Sequence, residues 1–165
     1  MSTVGDPPAI NTRSGFHAAL RWGFDSAIAD DARRIVCCDA DFAHWAPLED
    51  PAVLQTLTTW LKLPQRKLVL LARSYDAMPR RFPRFTAWRR SWVHAVDAWL
   101  PPEELAADLP SLLVSDRNAS VQLFDPVHWR GRAAYDPRLT HQFGEQIDAV
   151  LQRSEPGFAS ITLGL

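Results

Sequence analysis

Two short apolar runs constrain the fold of this 165-residue chain more than any other feature. The runs RRIVCCDA (33–40) and KLVLLAR (67–73) are continuously apolar in the middle and bounded by charge. That pattern is typical of strands buried on both faces of a sheet. Apolar residues recur at helical spacing before the first run and predict a helix over about 14–30, with Ser14 as its N-cap. The same spacing between the two runs predicts a second helix, which begins at Asp50-Pro51 and ends just before Pro64. Strands that alternate with helices predict an α/β fold.

The rest of the chain continues this alternation. We expect a helix near 83–94, a short strand over 95–100, a hairpin formed by 111–116 and 119–125, and a last helix over 137–153. We therefore predict an α/β domain with a mostly parallel mixed sheet and helices on both faces. Residues 1–12 are expected to form a flexible N-terminal arm and residues 13–165 the single α/β domain. The tail, PGFASITLGL, is a candidate edge strand.

The cysteines and the N-terminal segment bear on cellular location. The two cysteines, Cys37 and Cys38, are adjacent, and neighbouring residues of a strand point to opposite faces, so a disulfide between them is not expected. The first 15 residues lack the basic and apolar regions of a signal peptide. No apolar run approaches the ~18 residues that a membrane span needs. We expect a cytoplasmic protein that does not span a membrane and uses no cofactor.

The element order resembles one half of the phospholipase D-like fold. The local patterns that carry the resemblance are IVCCDADF at the end of the first strand, KLVLLARSYD at the end of the second, and LLVSDRNASVQLFD as the hairpin. Together they cover roughly residues 14–153. More particularly, the chain is similar to proteobacterial domains of unknown function that keep this fold without its active site.

The catalytic motif of that family is missing from this chain. Active members carry a histidine, a lysine two residues later and an aspartate five beyond the lysine; the histidine attacks phosphorus and the lysine holds the phosphate oxygens. With the aspartate aligned on Asp116, Leu109 stands at the histidine position and Ser111 at the lysine position, and no H-x-K occurs anywhere in the sequence. The resemblance therefore implies a catalytically inactive domain that acts as a binding or interaction module, with Asp116 serving the hairpin turn.

Asp39 and Asp41 suggest an alternative, an aspartate-based phosphotransferase or phosphatase. They follow the first strand, and ligands of open α/β sheets bind beyond the carboxyl ends of strands. Their spacing is similar to that of haloacid dehalogenase-like enzymes, with Ser74 as a possible phosphate-binding hydroxyl. However, Phe42 is atypical of that family, and the expected lysine and acidic magnesium pair are missing. Asp39, Asp41 and His44 could converge on a metal, but no metal site is predicted from one histidine beside two carboxylates.

A basic region, residues 62–94, suggests a second alternative. It holds nine basic residues and one acidic residue, whereas the rest of the chain holds nine basic and eighteen acidic residues. Arginines between aromatic residues, as in PRRFPRFTAWRRSW, are typical of proteins that bind single-stranded nucleic acid. The candidate residues for binding an anion or nucleic acid are Arg73, Arg80, Arg81, Arg84, Arg89 and Arg90.

Helical spacing limits that second interpretation. It places Phe85, Trp88 and Trp92 in the core and leaves Arg84, Arg89 and Arg90 on a solvated face. A further interpretation is that the basic region meets the acidic segment Glu103, Glu104 and Asp108 of the same or another copy.

The resemblance also implies a homodimer. In that family two halves meet across a pseudo-twofold axis, and this chain contains one half. Candidate contacts are Trp45, Trp129 and an apolar tail with Phe158, Ile161 and Leu163.

Overall fold

The two apolar runs form neighbouring parallel strands inside an eight-stranded sheet. The computed structural model describes residues 4–158. The strands in chain order are β1 (Ala9–Ile10), β2 (Arg34–Asp39), β3 (Lys67–Ala72), β4 (Val96–Leu100), β5 (Ser111–Ser115), β6 (Ala119–Asp125), β7 (Arg130–Tyr135) and β8 (Glu155–Pro156). Across the sheet they lie in the order β1-β7-β6-β5-β2-β3-β4-β8.

The helices alternate with the central strands as the apolar spacing predicts. They are α1 (Arg13–Ala29), α2 (Pro51–Leu61), α3 (Met78–Arg81), α4 (Pro83–Ser91), α5 (Glu103–Ala106) and α6 (Pro137–Leu151), with a 3-10 helix at Ala46–Glu49. The Asp50 carboxylate accepts a hydrogen bond from the Ala52 N–H and so caps α2, as predicted. Helix α1 is capped by Thr12 instead of Ser14, because the Thr12 hydroxyl accepts from the Gly15 N–H.

Both faces of the sheet are covered by helices. On one face Cys37, Leu70 and Leu113 pack with apolar residues of α1, α2 and α4. On the other, Val36, Val69, Leu112 and Val114 pack against Ile147 of α6. The α/β class and the mixed sheet are therefore confirmed. Ile35, Val36, Val69 and Leu70 are buried as the two apolar runs predict, and Leu113 and Val121 of the hairpin are buried as well. Cys37 and Cys38 are free thiols that point to opposite faces.

The prediction that the sheet is mostly parallel is wrong. Two strand pairs, β2–β3 and β3–β4, are parallel, and five pairs are antiparallel. The difference arises because strands without a crossover helix, including the hairpin β5–β6 and the unpredicted β7, extend the sheet by antiparallel pairing. Strand β7 was missed because RGRAAY has little of the β-branched and apolar content that marks a strand.

Both ends of the described chain pair with the sheet. The expected flexible arm is corrected at its end: Ala9 and Ile10 pair with β7, and the Ile10 side chain is buried. At the other end Glu155 and Pro156 pair with β4. The rest of the candidate edge strand, residues 159–165, lies outside the described residues. No helix within residues 4–158 is both long enough and apolar enough to cross a membrane.

Candidate anion-binding site

Asp39 is the last residue of β2 and Asp41 lies in the loop that follows, and both carboxylates accept hydrogen bonds from the backbone of that loop. Asp39 is 7% exposed, and its Oδ2 accepts hydrogen bonds from the N–H groups of Asp41, at 3.1 Å, and Phe42, at 2.7 Å. The Asp41 Oδ1 accepts from the Ala43 N–H at 2.9 Å. These bonds stabilise a turn in which Phe42 has a φ of 61° and a buried side chain. Asp39 and Asp41 thus have a structural role that their sequence position did not reveal.

A cavity of about 420 Å³ beside this loop contains the two positions at which the family resemblance expects catalytic groups. Leu109 and Ser111 line it together with Asp39, Asp41 and His44. The Ser111 hydroxyl accepts a hydrogen bond from the Trp45 indole N–H at 3.3 Å. No Lys or Arg is among the described residues that line the cavity. A phosphate here would face carboxylates without a cation to offset them, which is electrostatically unfavourable.

Metal ligands are not grouped at this loop either. Within residues 4–158 no set of three or more His, Cys, Asp or Glu side chains is arranged to hold a metal ion. Asp116, the remaining position of the family motif, accepts a hydrogen bond from the Arg33 N–H and so ties the start of β2 to the end of β5. The hairpin turn itself is stabilised by the Ser115 hydroxyl, which accepts from Arg117 and Ala119.

The basic side chains of residues 62–94 fall into two groups in the structure. Several have partners within the fold: Arg66 pairs with Asp31, Lys67 with Asp97, and Arg81 donates to the Ala43 carbonyl. Lys62, Arg73, Arg80, Arg84 and Arg90 are exposed, and none of their side chains forms a hydrogen bond or ion pair with the residues described. We call the four arginines of this group the arginine surface.

The acidic segment does not neutralise the arginine surface. Glu104, in α5, forms its ion pair with Arg153, which follows α6. Arg73 borders a cavity with Glu103 and Glu155, but no ion pair joins these groups in the described part of the chain. The Glu49 carboxylate does not pair with an arginine side chain of this surface either. Its two oxygens accept hydrogen bonds from the backbone N–H groups of Arg84 and Phe85. Glu49 thereby occupies the amino-terminal end of α4.

Two members of the arginine surface meet at one cavity of about 630 Å³. Arg73 follows β3, and Arg90 lies in the last turn of α4, one helical turn after Thr86, which also lines the cavity. The loop after β3 is held in place because the N–H groups of Arg73 and Ser74 both donate to the Ala40 carbonyl. Tyr75, Leu100 and Phe158 supply an apolar wall, and Asp76 is the one carboxylate among the described lining residues. We call this the Arg73–Arg90 cavity.

Arg89 lies behind the aromatic wall of this cavity, which corrects its predicted place on a solvated face. Its side chain is buried, at 5% exposure. Its Nη1 donates to the Phe158 carbonyl at 2.7 Å, and its guanidinium lies 4.5 Å from the centre of the Phe158 ring. Phe158 in turn stacks on Tyr75, with ring centres 5.0 Å apart. A signal was available in the sequence, since Arg89 follows the buried Phe85 by four residues and therefore lies on the same face of α4.

The environment of Arg89 is unusual for a buried cation. No carboxylate within residues 4–158 forms an ion pair with it, and its Nε is buried without a hydrogen-bond partner. Burial lowers the pKa of the Arg89 guanidinium, while Tyr75 and Asp97 act in the opposite direction. Burial also raises the pKa of the Tyr75 hydroxyl, which donates to the Trp99 carbonyl at 2.8 Å.

The aromatic residues between the arginines belong to the core, so they are poorly placed to stack on bases. Phe82 and Phe85 are buried. Trp88 is half-buried, and its indole N–H donates to the Thr58 hydroxyl at 2.7 Å. Trp92 packs against the same core cluster. The predicted arginine cluster is thus present in part, as exposed cations without a stacking platform beside them.

The fold, a mixed sheet with helices on both faces, is similar to that of a phospholipase D family member. Among solved structures the chain is similar to the phospholipase D family member NUC from Salmonella typhimurium, at 12% identity and a TM-score of 0.51 over 86% of this chain and 91% of that one. It is also similar to TrmBL2, an archaeal chromatin protein, at 13% identity and a TM-score of 0.52. The structure of TrmBL2 shows a novel mode of DNA binding. That match covers 82% of this chain, which spans about half (52%) of TrmBL2. No protein-family model and no curated protein matches the sequence.

Proposed function

We propose that this chain is a noncatalytic phospholipase D-like domain that binds nucleic acid through phosphate contacts of the arginine surface. The observation that carries the proposal is the exposure of Arg73, Arg80, Arg84 and Arg90 without an acidic partner in the described structure. Guanidinium groups bind phosphate oxygens bidentately, and their release of counterions from a polyanion favours binding. We place this activity in the cytoplasm.

Phosphate contacts are favoured over base stacking because the neighbouring aromatic rings are committed to the core. Contacts of this kind position a protein on a nucleic acid without reading its sequence. The acidic remainder of the chain repels a polyanion, so binding is confined to the arginine surface. The similarity to TrmBL2, which is described as binding DNA, supports nucleic acid as the polyanion.

The direct test is fluorescence anisotropy with a labelled 20-nucleotide single strand and a duplex of the same sequence. With four phosphate contacts the affinity for the duplex should fall about 100-fold between 50 and 200 mM salt, and somewhat less steeply for the single strand. Sequence changes in the oligonucleotide should leave the affinity within about threefold. No binding of either form at 50 mM salt would refute the proposal.

Catalytic inactivity is the second part of the proposal. Leu109 and Ser111 provide neither a nucleophile nor a cation, and the neighbouring carboxylates repel phosphate. We expect no cleavage of a chromogenic phosphodiester above a buffer control. Turnover that disappeared in Asp116→Ala would show that the site had been wrongly assigned.

The phosphotransferase alternative is disfavoured by the geometry of Asp39. Its Oδ2 already accepts two backbone hydrogen bonds, and these lower the nucleophilicity that a phosphoryl acceptor needs. Magnesium-dependent phosphate release from a generic phosphomonoester, lost in Asp39→Asn, would favour this alternative over the nucleic-acid binder.

We also propose that the chain forms a homodimer, with a contact besides those that the sequence suggested. Trp45 is fully buried, Trp129 and Phe158 pack against the core, and Ile161 and Leu163 lie outside the described residues. Phe124 and Val127, at the end of β6 and just after it, are 62% and 79% exposed and offer an apolar contact. Light scattering should give about 37 kDa, twice the 18.6 kDa chain mass. Phe124→Ser with Val127→Ser should return it to the monomer mass, whereas a monomer mass for the unaltered chain refutes the dimer.

A further inference from the structure

The Arg73–Arg90 cavity differs from the rest of the arginine surface because two arginines from separate elements line one open cavity. Arg80 and Arg84 do not line it. Arg84 and Arg90 are six positions apart on α4, which places them about 120° apart around the helix axis. The arginine surface therefore has two parts. Arg73 and Arg90 line the cavity, Arg80 and Arg84 lie outside it, and we expect the two parts to bind different phosphate groups.

The hydroxyl groups of the cavity are not equivalent. The Ser74 Oγ accepts a hydrogen bond from the Asp76 N–H, so the Ser74 proton is free to point to a ligand. The Thr86 hydroxyl donates to the Phe82 carbonyl, so its proton is already used. Arg73, Arg90 and Ser74 are therefore the donors available to an anion in this cavity.

Arg89 adds an independent observation. Within residues 4–158 the buried Arg89 has no ion-pair partner and its Nε has no hydrogen-bond partner, and both conditions are unfavourable for a buried cation. The Arg89 guanidinium lies against the Phe158 ring, Phe158 stacks on Tyr75, and both rings line the cavity. An anion held by Arg73 and Arg90 would lie within the field of the Arg89 guanidinium and would offset its charge.

We propose that the Arg73–Arg90 cavity binds a phosphate monoester, as the terminal phosphate of a nucleic-acid strand; this inference rests on the proposed function. A monoester carries a charge of about −1.5 to −2 at pH 7, which matches two guanidinium groups better than the single charge of a backbone diester. A cavity of about 630 Å³ has the size of a small-molecule site, and Leu100, Tyr75 and Phe158 form an apolar wall for the terminal nucleoside.

Four ligands and four proteins test this inference. The ligands are a labelled 12-nucleotide strand with hydroxyl ends, the same strand with a 5′-phosphate, the same strand with a 3′-phosphate, and free adenosine monophosphate. The proteins are the unaltered chain and its variants Arg73→Gln, Arg80→Gln and Asp76→Asn.

We expect at least one phosphorylated strand to bind about tenfold more tightly than the hydroxyl strand, since one charge-assisted contact supplies such a factor. Arg73→Gln should abolish this preference. Arg80→Gln, the matched control, should weaken all strands while keeping the preference. Asp76→Asn should increase the preference, because it removes the one carboxylate among the described residues that line the cavity.

Each remaining outcome has a defined meaning. Equal binding of all three strands, with no binding of adenosine monophosphate, overturns the monoester site and leaves the proposed function intact. Binding of adenosine monophosphate alone supports the site with a free nucleotide as its ligand and refutes the proposed function. Binding of no ligand refutes both. A preference that persists in Arg73→Gln overturns the assignment to this cavity.

Discussion

The ends of β2 and β3, with the loops that follow them, lie at the same edge of the sheet. The charged side chains of the first have hydrogen-bond partners, whereas the Arg73 side chain of the second has none within the described residues. In the β2 loop the Asp39 and Asp41 carboxylates accept hydrogen bonds from the backbone of their own turn. In the β3 loop the backbone of Arg73 is tied to Ala40, but its side chain has no partner within the described residues. The position of a charged residue at the carboxyl end of a strand is thus insufficient to identify a binding site. What distinguishes a binding residue is a charged group that the fold leaves unsatisfied.

The largest effect that we predict concerns Asp39. Asp39→Ala removes the acceptor for two N–H groups, one of them the buried Phe42 N–H, and should lower the free energy of unfolding by about 3 kcal/mol. Asp41→Ala, the matched control, removes one bond from a half-buried position and should cost about 1 kcal/mol. Urea denaturation measures both. Equal small losses for the two variants would contradict the structural role of Asp39.

A smaller change in the free energy of unfolding is expected at Arg89, the buried cation of α4 beside the Arg73–Arg90 cavity. Arg89→Met replaces a buried cation, which has no ion pair within the described residues, with an apolar chain of similar length, and replacing buried charges by apolar groups is often neutral or stabilising. The free energy of unfolding without ligand should therefore change by less than about 1 kcal/mol or increase. A loss as large as that of Asp39→Ala would show that Arg89 is compensated within the fold and would remove its support for the monoester site.

The sequence predicted most of the architecture because the central strands and helices follow simple apolar spacing. Ile35, Val69 and Leu113 are buried as expected, since continuous apolar runs are stable only between two covered faces. The edges were harder: β1 and β7 form by pairing with neighbours, and neither Ala9–Ile10 nor RGRAAY carries a strong strand signal of its own.

The candidate site was predicted only in part. The charge distribution along the sequence pointed to residues 62–94, where the exposed arginines lie. It does not show which of the arginines form ion pairs or hydrogen bonds within the fold. Arg66 is neutralised by Asp31, which is 35 residues away in the sequence. Arg89 is covered by Phe158, which is 69 residues away. Such contacts depend on the tertiary fold and leave no local pattern in the sequence.

The most direct test of the account compares two quadruple variants by the salt dependence of duplex binding. One replaces the arginine surface, Arg73, Arg80, Arg84 and Arg90, by glutamine. The control removes the same net charge through Arg21, Arg33, Arg34 and Arg153, each of which has a side-chain partner in the fold. We predict that the first variant loses affinity by more than about 100-fold at 50 mM salt, with the slope of log affinity against log salt falling from about −3.6 toward zero, while the control stays within about threefold. Equal losses in the two variants would contradict the account, because binding would then depend on net charge and not on this surface.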